Sequence, residues 1–343
     1  MKTLGILGVA HIHTPSFVKS IHERPDEFRV KAVWDNQPGR ARIAAGHLND
    51  CQIKDIDAIV GDDEIDAVVV CAETVLHREL VEAAAAAGKD MFVEKPLAIN
   101  AFDAYAMQRA IDDAGVIFQI GHFMRGYPFL RVIKQLIDDG ALGRITRIRH
   151  SNVHHGAIGG WFDAGKGWYD DGWLWMTDLE KSGVGGFGDL GAHSLDVLMW
   201  LMGDVVSVTA QMDSLLGKYP CDEYGEGMLR FANGAIGTLA AGWVDLARTM
   251  PIHVTGTKGL AYVDDDRLYV KSDSLPRADG REWRDLPKAL PHAFELFLNA
   301  IGGADVELIS AKEAADRTAV MEAFYQAAES NTWVQPQTCH KER

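Results

Sequence analysis

The fold is decided at the start of the chain, where residues 4–15 read Leu-Gly-Ile-Leu-Gly-Val-Ala-His-Ile-His-Thr-Pro. The apolar run 4–7 predicts a short buried strand. Thr14 as a cap and Pro15 at the first helical position predict a helix directly after the loop. The amides and dipole of such a helix start suit a phosphate group.

The loop between this strand and this helix only partly matches a dinucleotide-binding fingerprint. That fingerprint places glycines for a tight turn, for close approach to the pyrophosphate and for helix packing. Gly8 is present, whereas Ala10 and His13 occupy the other two glycine positions. His11 and His13 form an H-x-H pair, which also suggests a metal site. No paired cysteine or acidic ligand is near in sequence, so ordinary loop histidines and no metal are predicted.

The same rhythm of apolar runs and helical patterns continues for about 120 residues. It predicts a parallel sheet covered on both faces, which is the doubly wound Rossmann architecture, in a domain of residues 1–121. The predicted strands are residues 4–7, 30–34, 67–70, 91–93 and 116–120, and the predicted helices are residues 16–23, 39–48, 76–87 and 101–114.

After Gly121 the pattern changes, which predicts a second domain of residues 122–334 and a polar tail of residues 335–343. Strands in series without intervening helices predict a large, mostly antiparallel sheet in an α+β domain. The complete fold class is therefore α/β with two domains. The predicted elements are a helix at 129–138, a strand at 144–150, several strands across 205–270, and closing helices at 289–301 and 311–329.

Composition excludes several classes of partner. A formal net charge of -15 argues against nucleic acid or an anionic membrane surface. No stretch reaches the roughly 18 apolar residues of a membrane helix, and the first residues do not resemble a signal peptide. Free thiols in a reducing cytoplasm are predicted from cysteines that lie far apart, namely Cys51, Cys71, Cys221 and Cys339.

Asp35 follows the second predicted strand, 22 residues after His13. This is close to the offset of about 20 residues for the acid that binds the ribose 2′-hydroxyl of a dinucleotide. A carboxylate there repels a 2′-phosphate, so NAD is favoured and NADP is less favoured. The alternative is an aspartate that caps the next helix beside Pro38.

Two further clusters carry candidate chemistry. Lys95 lies within Glu94-Lys95-Pro96 at the carboxyl end of the fourth strand, where open α/β sheets bind ligands, although a salt-bridged turn lysine is the alternative. A glycine-rich turn then leads into a helix on which Asp189 and His193 are four residues apart and share one face. A simple surface pair is the alternative there.

Together these motifs, in this order along nearly the whole chain, resemble the Gfo/Idh/MocA oxidoreductase family. The resemblance implies that Lys95 hydrogen-bonds the reacting hydroxyl, that His193 is the general base, and that Asp189 orients His193 or a neighbouring hydroxyl. It also implies a homo-oligomer. The chain departs from the family where Glu73-Thr74 replaces Pro-Asn. The predicted cofactor-binding residues are Gly8, Ala10, His11, His13, Asp35, Arg40, Ala72, Glu73, His77, Glu94 and Lys95.

An aromatic stretch between His150 and Gly183 holds four of the nine tryptophans, at positions 161, 168, 173 and 175. Flat rings of this kind stack on the C–H faces of sugars, and the alternatives are packing of a long loop or a subunit contact. The predicted substrate-binding residues are Arg125, His154, Trp161, Trp168, Trp175, Asp189 and His193.

The function predicted from these features is an NAD(P)-dependent dehydrogenase that transfers a hydride between a secondary alcohol of a sugar or cyclitol ring and nicotinamide. A different reading within the family is an NAD-dependent glycosidase, in which transient ring oxidation permits elimination and the cofactor is recycled. A third is a cofactor-binding sensor, against which the presence of Lys95, Asp189 and His193 argues.

Overall fold

Two sheets organise this computed structural model, which describes residues 1–49, 51–246 and 251–338. The last five residues of the predicted polar tail, which include Cys339, lie outside the described residues. The first sheet has six strands, all parallel, in the order β3-β2-β1-β4-β5-β6. Its strands are Lys2–Leu7 (β1), Phe28–Trp34 (β2), Gln52–Ile53 (β3), Ala67–Val70 (β4), Asp90–Val93 (β5) and Phe118–Ile120 (β6).

This strand order is that of a Rossmann sheet, so the predicted fold is confirmed. The sequence did not predict β3, because its two residues are exposed and show no apolar pattern. Helix α1 begins at Thr14, and its N-cap is His13 rather than the predicted Thr14. The crossover helices are Thr14–His22 (α1), Pro38–His47 (α2), Ile56–Val60 (α3), His77–Ala86 (α4) and Ala101–Ala114 (α5).

Gly8, directly after β1, has a backbone conformation that only glycine adopts readily. Its φ is +83°, and a Cβ built there would lie 2.3 Å from the Cβ of Ala72. The loops after β1 and β4 therefore approach each other too closely for any side chain at position 8. This contact sets the shape of the ridge on which a dinucleotide would lie.

The second sheet has eight strands in the order β14-β13-β12-β11-β7-β10-β9-β8. The β7–β10 pair is parallel and the other pairs are antiparallel, which confirms the predicted mostly antiparallel sheet. The elements from residue 128 onward are Pro128–Asp138 (α6), Ile145–Val153 (β7), Leu179–Ser182 (α7), Gly186–Met202 (α8), Val205–Asp213 (β8), Tyr224–Phe231 (β9), Ile236–Gly242 (β10), Ile252–Gly256 (β11), Gly259–Asp264 (β12), Arg267–Ser272 (β13), Asp279–Glu282 (β14), Ala293–Ile301 (α9) and Ala311–Ser330 (α10).

Helix α8 lies against one face of this second sheet, and nearly all of its residues are buried. The closing helices, which the sequence places in the second domain, also cover the Rossmann sheet. Phe294 and Phe297 of α9 join the apolar cluster that contains Phe17 and Phe92, while α10 packs on α5. The chain thus returns to complete the first domain, and the two domains share a large contact that holds the cleft between them in place.

Within the described residues, no helix combines the length and the apolarity that crossing a membrane requires. The cytoplasmic location stays a prediction.

Candidate active site

Lys95 lies two residues after the end of β5 and reaches across the domain boundary to Asp189 on the first turn of α8. The ammonium Nζ lies 2.5 Å from Asp189 Oδ1 and 3.3 Å from the Asp189 carbonyl oxygen. Lys95 is 3% exposed and Asp189 is 8% exposed. The alternative of a surface pair for Asp189 and His193 is wrong, since both residues are buried, whereas Lys95 does form a salt bridge, which lies between the domains.

Asp189 has a second partner that the sequence did not reveal. The indole Nε1 of the fully buried Trp243 donates to Asp189 Oδ2 over 2.9 Å. Burial alone would raise the pKa of Asp189, but Lys95 and the indole hydrogen bond hold it below its ordinary value. The carboxylate is therefore ionised and engaged on both oxygens. Its two oxygens bond to Lys95 and Trp243, and the orientation of His193 by Asp189 stays a prediction.

His193, one turn further along α8, is 3% exposed. Its ring packs edge-on against Phe123 at a centroid distance of 4.8 Å and against His122 at 5.7 Å. Its Nδ1 is buried and has no hydrogen-bond partner among the described residues. Burial and the nearby charge of Lys95 hold the pKa of His193 well below its usual value. The imidazole is therefore neutral near pH 7 and able to accept a proton.

Lys95, Asp189 and His193 line one cavity of about 160 Å³ at the carboxyl end of the Rossmann sheet. His154 and Trp161 line the same cavity, as predicted, and their rings lie 4.5 Å apart. The sequence did not identify several other lining residues, because neither spacing nor residue type marks them as functional. These are Ile12, Phe123, Met124, Asn152, Phe162, Met176 and Leu190.

The structure does not bring Arg125 to this cavity. Its guanidinium donates to both oxygens of Asp196, at 2.9 and 2.5 Å, and to Glu313 at 2.9 Å. An arginine held by two carboxylates in this way links α8 to α10. The predicted substrate contact of Arg125 is therefore replaced by a role in joining helices.

The aromatic segment, residues 154–178, contributes some residues to the cavity wall and others to packing against the first domain. Trp161 belongs to the cavity wall, whereas Trp168 stacks on His47 of α2 at 4.1 Å. Trp175 donates from Nε1 to the Ala10 carbonyl over 2.8 Å, and the Tyr169 hydroxyl donates to the Val9 carbonyl over 2.8 Å. Tyr169 and Trp175 therefore bind the loop that follows β1, whereas His154, Trp161, Phe162 and Met176 of the same segment line the cavity.

The predicted cofactor residues are brought together along the carboxyl edge of the Rossmann sheet. Asp35 accepts from the amides of Val9 at 2.8 Å and Gln37 at 2.9 Å. Asp35 therefore holds the loop after β1 in place, and it also stabilises the turn that precedes α2. His77 lies 3.1 Å from the Leu97 carbonyl and 3.3 Å from the Ala72 carbonyl, so it ties together the loops after β4 and β5.

His11, His13 and Glu94 form a compact group at this edge, and their ligand atoms lie within 4.8 Å of one another. Glu94 is fully buried, accepts from the Lys95 amide at 2.8 Å, and lies 3.1 Å from His13 Nδ1. Burial lowers the pKa of His11 to about 3, so its ring is neutral. The absence of a metal stays a prediction here, since this donor set resembles those of known metal sites.

The residues at this edge fit an NAD molecule. The close contact of Gly8 with Ala72 leaves a ridge without side chains, and α1 begins a few residues beyond it, so that the positive end of its dipole faces this edge. At the far end, Arg40 Nε and Glu73 Oε2 are buried and have no hydrogen-bond partner in the part of the chain that the structure describes. A ribose hydroxyl can donate to the Glu73 oxygen.

Replacing Trp243 by phenylalanine tests the support of Asp189. The ring is retained but the indole donor is lost, which leaves a buried carboxylate oxygen unsatisfied and raises the pKa of Asp189. We expect kcat to fall about tenfold with an unchanged KM for NAD. The acid limb of the pH profile should move to higher pH, because Asp189 would release Lys95 earlier as the pH falls. The exposed Trp333→Phe is the control, and an unmoved acid limb would contradict the assignment.

Two family models match the chain. One describes an oxidoreductase family with an NAD-binding Rossmann fold and matches residues 2–122. The other describes the GFO/IDH/MocA C-terminal domain and matches residues 130–262. Fold and site thus define a two-domain oxidoreductase with an NAD-binding Rossmann domain. The chain belongs to the Gfo/Idh/MocA family.

Several relatives are enzymes of sugars and cyclitols. The chain is 30% identical over 215 residues to inositol 2-dehydrogenase of Rhizobium meliloti, covering 62% of this chain and 59% of that protein. It is 31% identical over 204 residues to 2,7-anhydro-N-acetylneuraminate hydratase of Mediterraneibacter gnavus, covering 59% and 50%. It is 28% identical over 295 residues to levoglucosan dehydrogenase of Pseudarthrobacter phenanthrenivorans, covering 77% and 73%. The matched region thus spans little more than half of the first two relatives.

Solved structures share the whole fold. Levoglucosan dehydrogenase in complex with NADH and L-sorbose superposes with a TM-score of 0.82 at 21% identity, covering 98% of this chain and 99% of that one. WlbA dehydrogenase from Bordetella pertussis, in complex with NADH and UDP-GlcNAcA, gives a TM-score of 0.78 at 21% identity, covering 97% and 98%. At these identities the likeness establishes the common fold.

Proposed function

We propose that the protein is an NAD-dependent dehydrogenase that oxidises a secondary alcohol on a sugar or cyclitol ring. The observation that carries this proposal is the buried Lys95–Asp189 ion pair beside the neutral His193, in one cavity at the carboxyl end of the Rossmann sheet. A fixed cation and a neutral base are what alcohol oxidation needs, because the hydride leaves carbon only as the hydroxyl loses its proton.

Each residue has a defined task in this reaction. The Lys95 ammonium donates to the substrate oxygen and stabilises the alkoxide that forms there. His193 accepts the hydroxyl proton, which its neutral form permits. Asp189 holds Lys95 in position and is itself held by Trp243. When NAD is bound, it accepts the hydride, and the substrate carbon becomes a ketone.

The residues that line the cavity favour a ring polyol as the substrate. Trp161 and His154 present flat aromatic surfaces, and Asn152 lies beside them. Aromatic faces pack against the C–H faces of sugar rings, while lysine and histidine bind hydroxyls. The relatives with names for inositol and levoglucosan dehydrogenases are consistent with this class of substrate.

A redox-recycling lyase or glycosidase is the second candidate function, and one feature of the structure favours it. Tyr169 and Trp175 hold the aromatic segment over the loop after β1, which would slow the exchange of a bound cofactor. An enzyme that regenerates its own NAD does not need that exchange. Two of the relatives are named as 2,7-anhydro-N-acetylneuraminate hydratases.

We also propose a homo-oligomer that forms through the outer face of the eight-stranded sheet. Strands β8, β9 and β10 alternate buried and exposed residues, with α8 and α10 covering the inner face. The outer face exposes Val206, Met228 and Ile236, each at least 40% accessible. Light scattering coupled to size-exclusion chromatography measures the state, and Met228→Lys should shift it toward the monomer if this face is the interface.

The function is tested by incubating the protein with NAD and a panel of free sugars, anhydrosugars, inositols and glycosides. Reduced nicotinamide should accumulate with a ring polyol, and Lys95→Ala should abolish the signal. Cleavage of a glycoside or elimination of water without net NADH would instead establish the recycling reaction. Neither product with any compound in the panel would count against both proposals.

A further inference from the structure

Arg40 on α2 is surrounded by three carboxylates. Its Nη1 lies 2.7 Å from Glu73 and 3.9 Å from Asp35, and its Nη2 lies 2.8 Å from Asp171. Arg40 is 4% exposed, and the side chains of Asp35 and Glu73 are almost fully buried. The local charge is therefore negative although an arginine lies at its centre.

These groups come from three separate parts of the chain. Asp35 follows β2, Glu73 follows β4, and Asp171 belongs to the aromatic segment of the second domain. Glu73 and Thr74 stand where the family usually has Pro-Asn. The proposed reaction does not explain this departure. Arg40, the partner of Glu73, lies five residues after Asp35, the acid assigned to the adenosine ribose. The departure therefore falls at the end of the cofactor site that distinguishes NAD from NADP.

We infer that Glu73 and Asp171 are specificity-determining residues, which secure NAD over NADP by occupying the guanidinium of Arg40. An arginine at this end of a Rossmann site can pair with a 2′-phosphate. Here both terminal nitrogens are already bound to carboxylates, so a 2′-phosphate would have to displace Glu73 and Asp171. It would also bring two further negative charges beside three carboxylates.

Glu73 also carries an acceptor that suits an unphosphorylated ribose. Its Oε2 is buried without a partner among the described residues, and a ribose hydroxyl can donate to such an oxygen. A phosphate ester has no proton to give to Glu73 near neutral pH. Glu73 therefore favours NAD and disfavours NADP.

The inference rests on the proposed cofactor site, and direct binding tests it without any substrate. NADH and NADPH are titrated into the full chain, with dissociation constants taken from nicotinamide fluorescence and calorimetry. We expect NADH to bind at least about 100-fold more tightly, and Glu73→Gln and Asp171→Asn each to reduce that ratio by about tenfold, as loss of one nearby charge predicts. Asp171 is 45% exposed, so its variant should fold even if the Glu73 variant does not.

Two controls sharpen the test. Asp170→Asn removes an exposed charge next to Asp171 and should leave the ratio unchanged. Arg40→Met in the double variant should abolish the gain in NADPH binding, since Arg40 would be the residue that binds the phosphate. A ratio that stays within twofold in the double variant overturns this inference alone. Failure of the wild-type chain to bind either nucleotide overturns both this inference and the proposed function.

Discussion

Lys95→Met should lower kcat by about a thousandfold, within the range of effects reported for removal of acid–base and electrostatic groups. The methionine retains the length of the side chain and removes its charge. The substrate oxygen then loses its cationic donor. Asp189, whose Oδ1 lies 2.5 Å from the ammonium, becomes a buried carboxylate without its counter-ion.

The matched control for this substitution is Lys89→Met at the opposite end of the same strand. Lys89 precedes β5, is 8% exposed, and donates to the carbonyls of Asp62 and Ile65. It should change stability but not kcat at saturating substrate. Steady-state rates are compared with NADH binding measured by fluorescence, which Lys95→Met should alter far less than turnover. Retention of more than a tenth of the wild-type kcat would remove Lys95 from the reaction.

The parts of this structure that the sequence predicts are those that local patterns specify. Buried parallel strands appear as uninterrupted apolar runs, so the Rossmann domain could be read from residues 4–120 without tertiary information. The positions of Lys95, Asp189 and His193 in the fold also follow from local patterns, whereas their roles are implied by the family resemblance. Glu94-Lys95-Pro96 lies at the end of an apolar strand and Asp189 and His193 lie one helical turn apart, so their elements could be placed from the sequence.

The contacts that the sequence does not predict join residues far apart in the chain. Trp243 and Asp189 are separated by 54 residues, and nothing near Trp243 marks it as a partner of a carboxylate. Arg125 looked like a residue of the cleft, but its partner Glu313 is 188 residues away. The aromatic segment was ambiguous because a tryptophan has the same local signature in a sugar site and in a domain contact.

The second large effect that we expect is a steep loss of stability as the pH falls from about 6.5 to 4, and its cause is the buried histidines. Burial lowers the pKa of His122 and His150 to about 4 and that of His11 to about 3, and His193 is lowered as well. The unfolded chain binds protons on these residues at about pH 6.5, whereas the folded chain does not. Acid therefore favours unfolding throughout this pH range. The loss of unfolding free energy is up to about 3 kcal/mol for a histidine whose pKa is lowered from 6.5 to about 4.

The carboxylates extend the effect in the same direction. The pKa values of Asp189 and Asp196 are held below their ordinary values by Lys95 and Arg125, so protonating them at still lower pH also favours the unfolded chain. Chemical denaturation at half-unit steps from pH 7.5 to 4.5 measures the slope. His150 is the informative residue, because it lies on β7 beside the Ser194 hydroxyl, 2.7 Å away, and does not line the catalytic cavity.

His150→Gln should flatten the dependence of the unfolding free energy by about 1.4 kcal/mol per pH unit between pH 6 and 4.5, the value for one proton. The exposed His22→Gln should leave it unchanged. A wild-type unfolding free energy that stays constant from pH 7 to 5 would show that the folded and unfolded chains bind the same number of protons in this range, which contradicts the lowered pKa values of the buried histidines. His193 is one of these histidines, so the stability measurement also tests the environment that the proposed chemistry gives to the base.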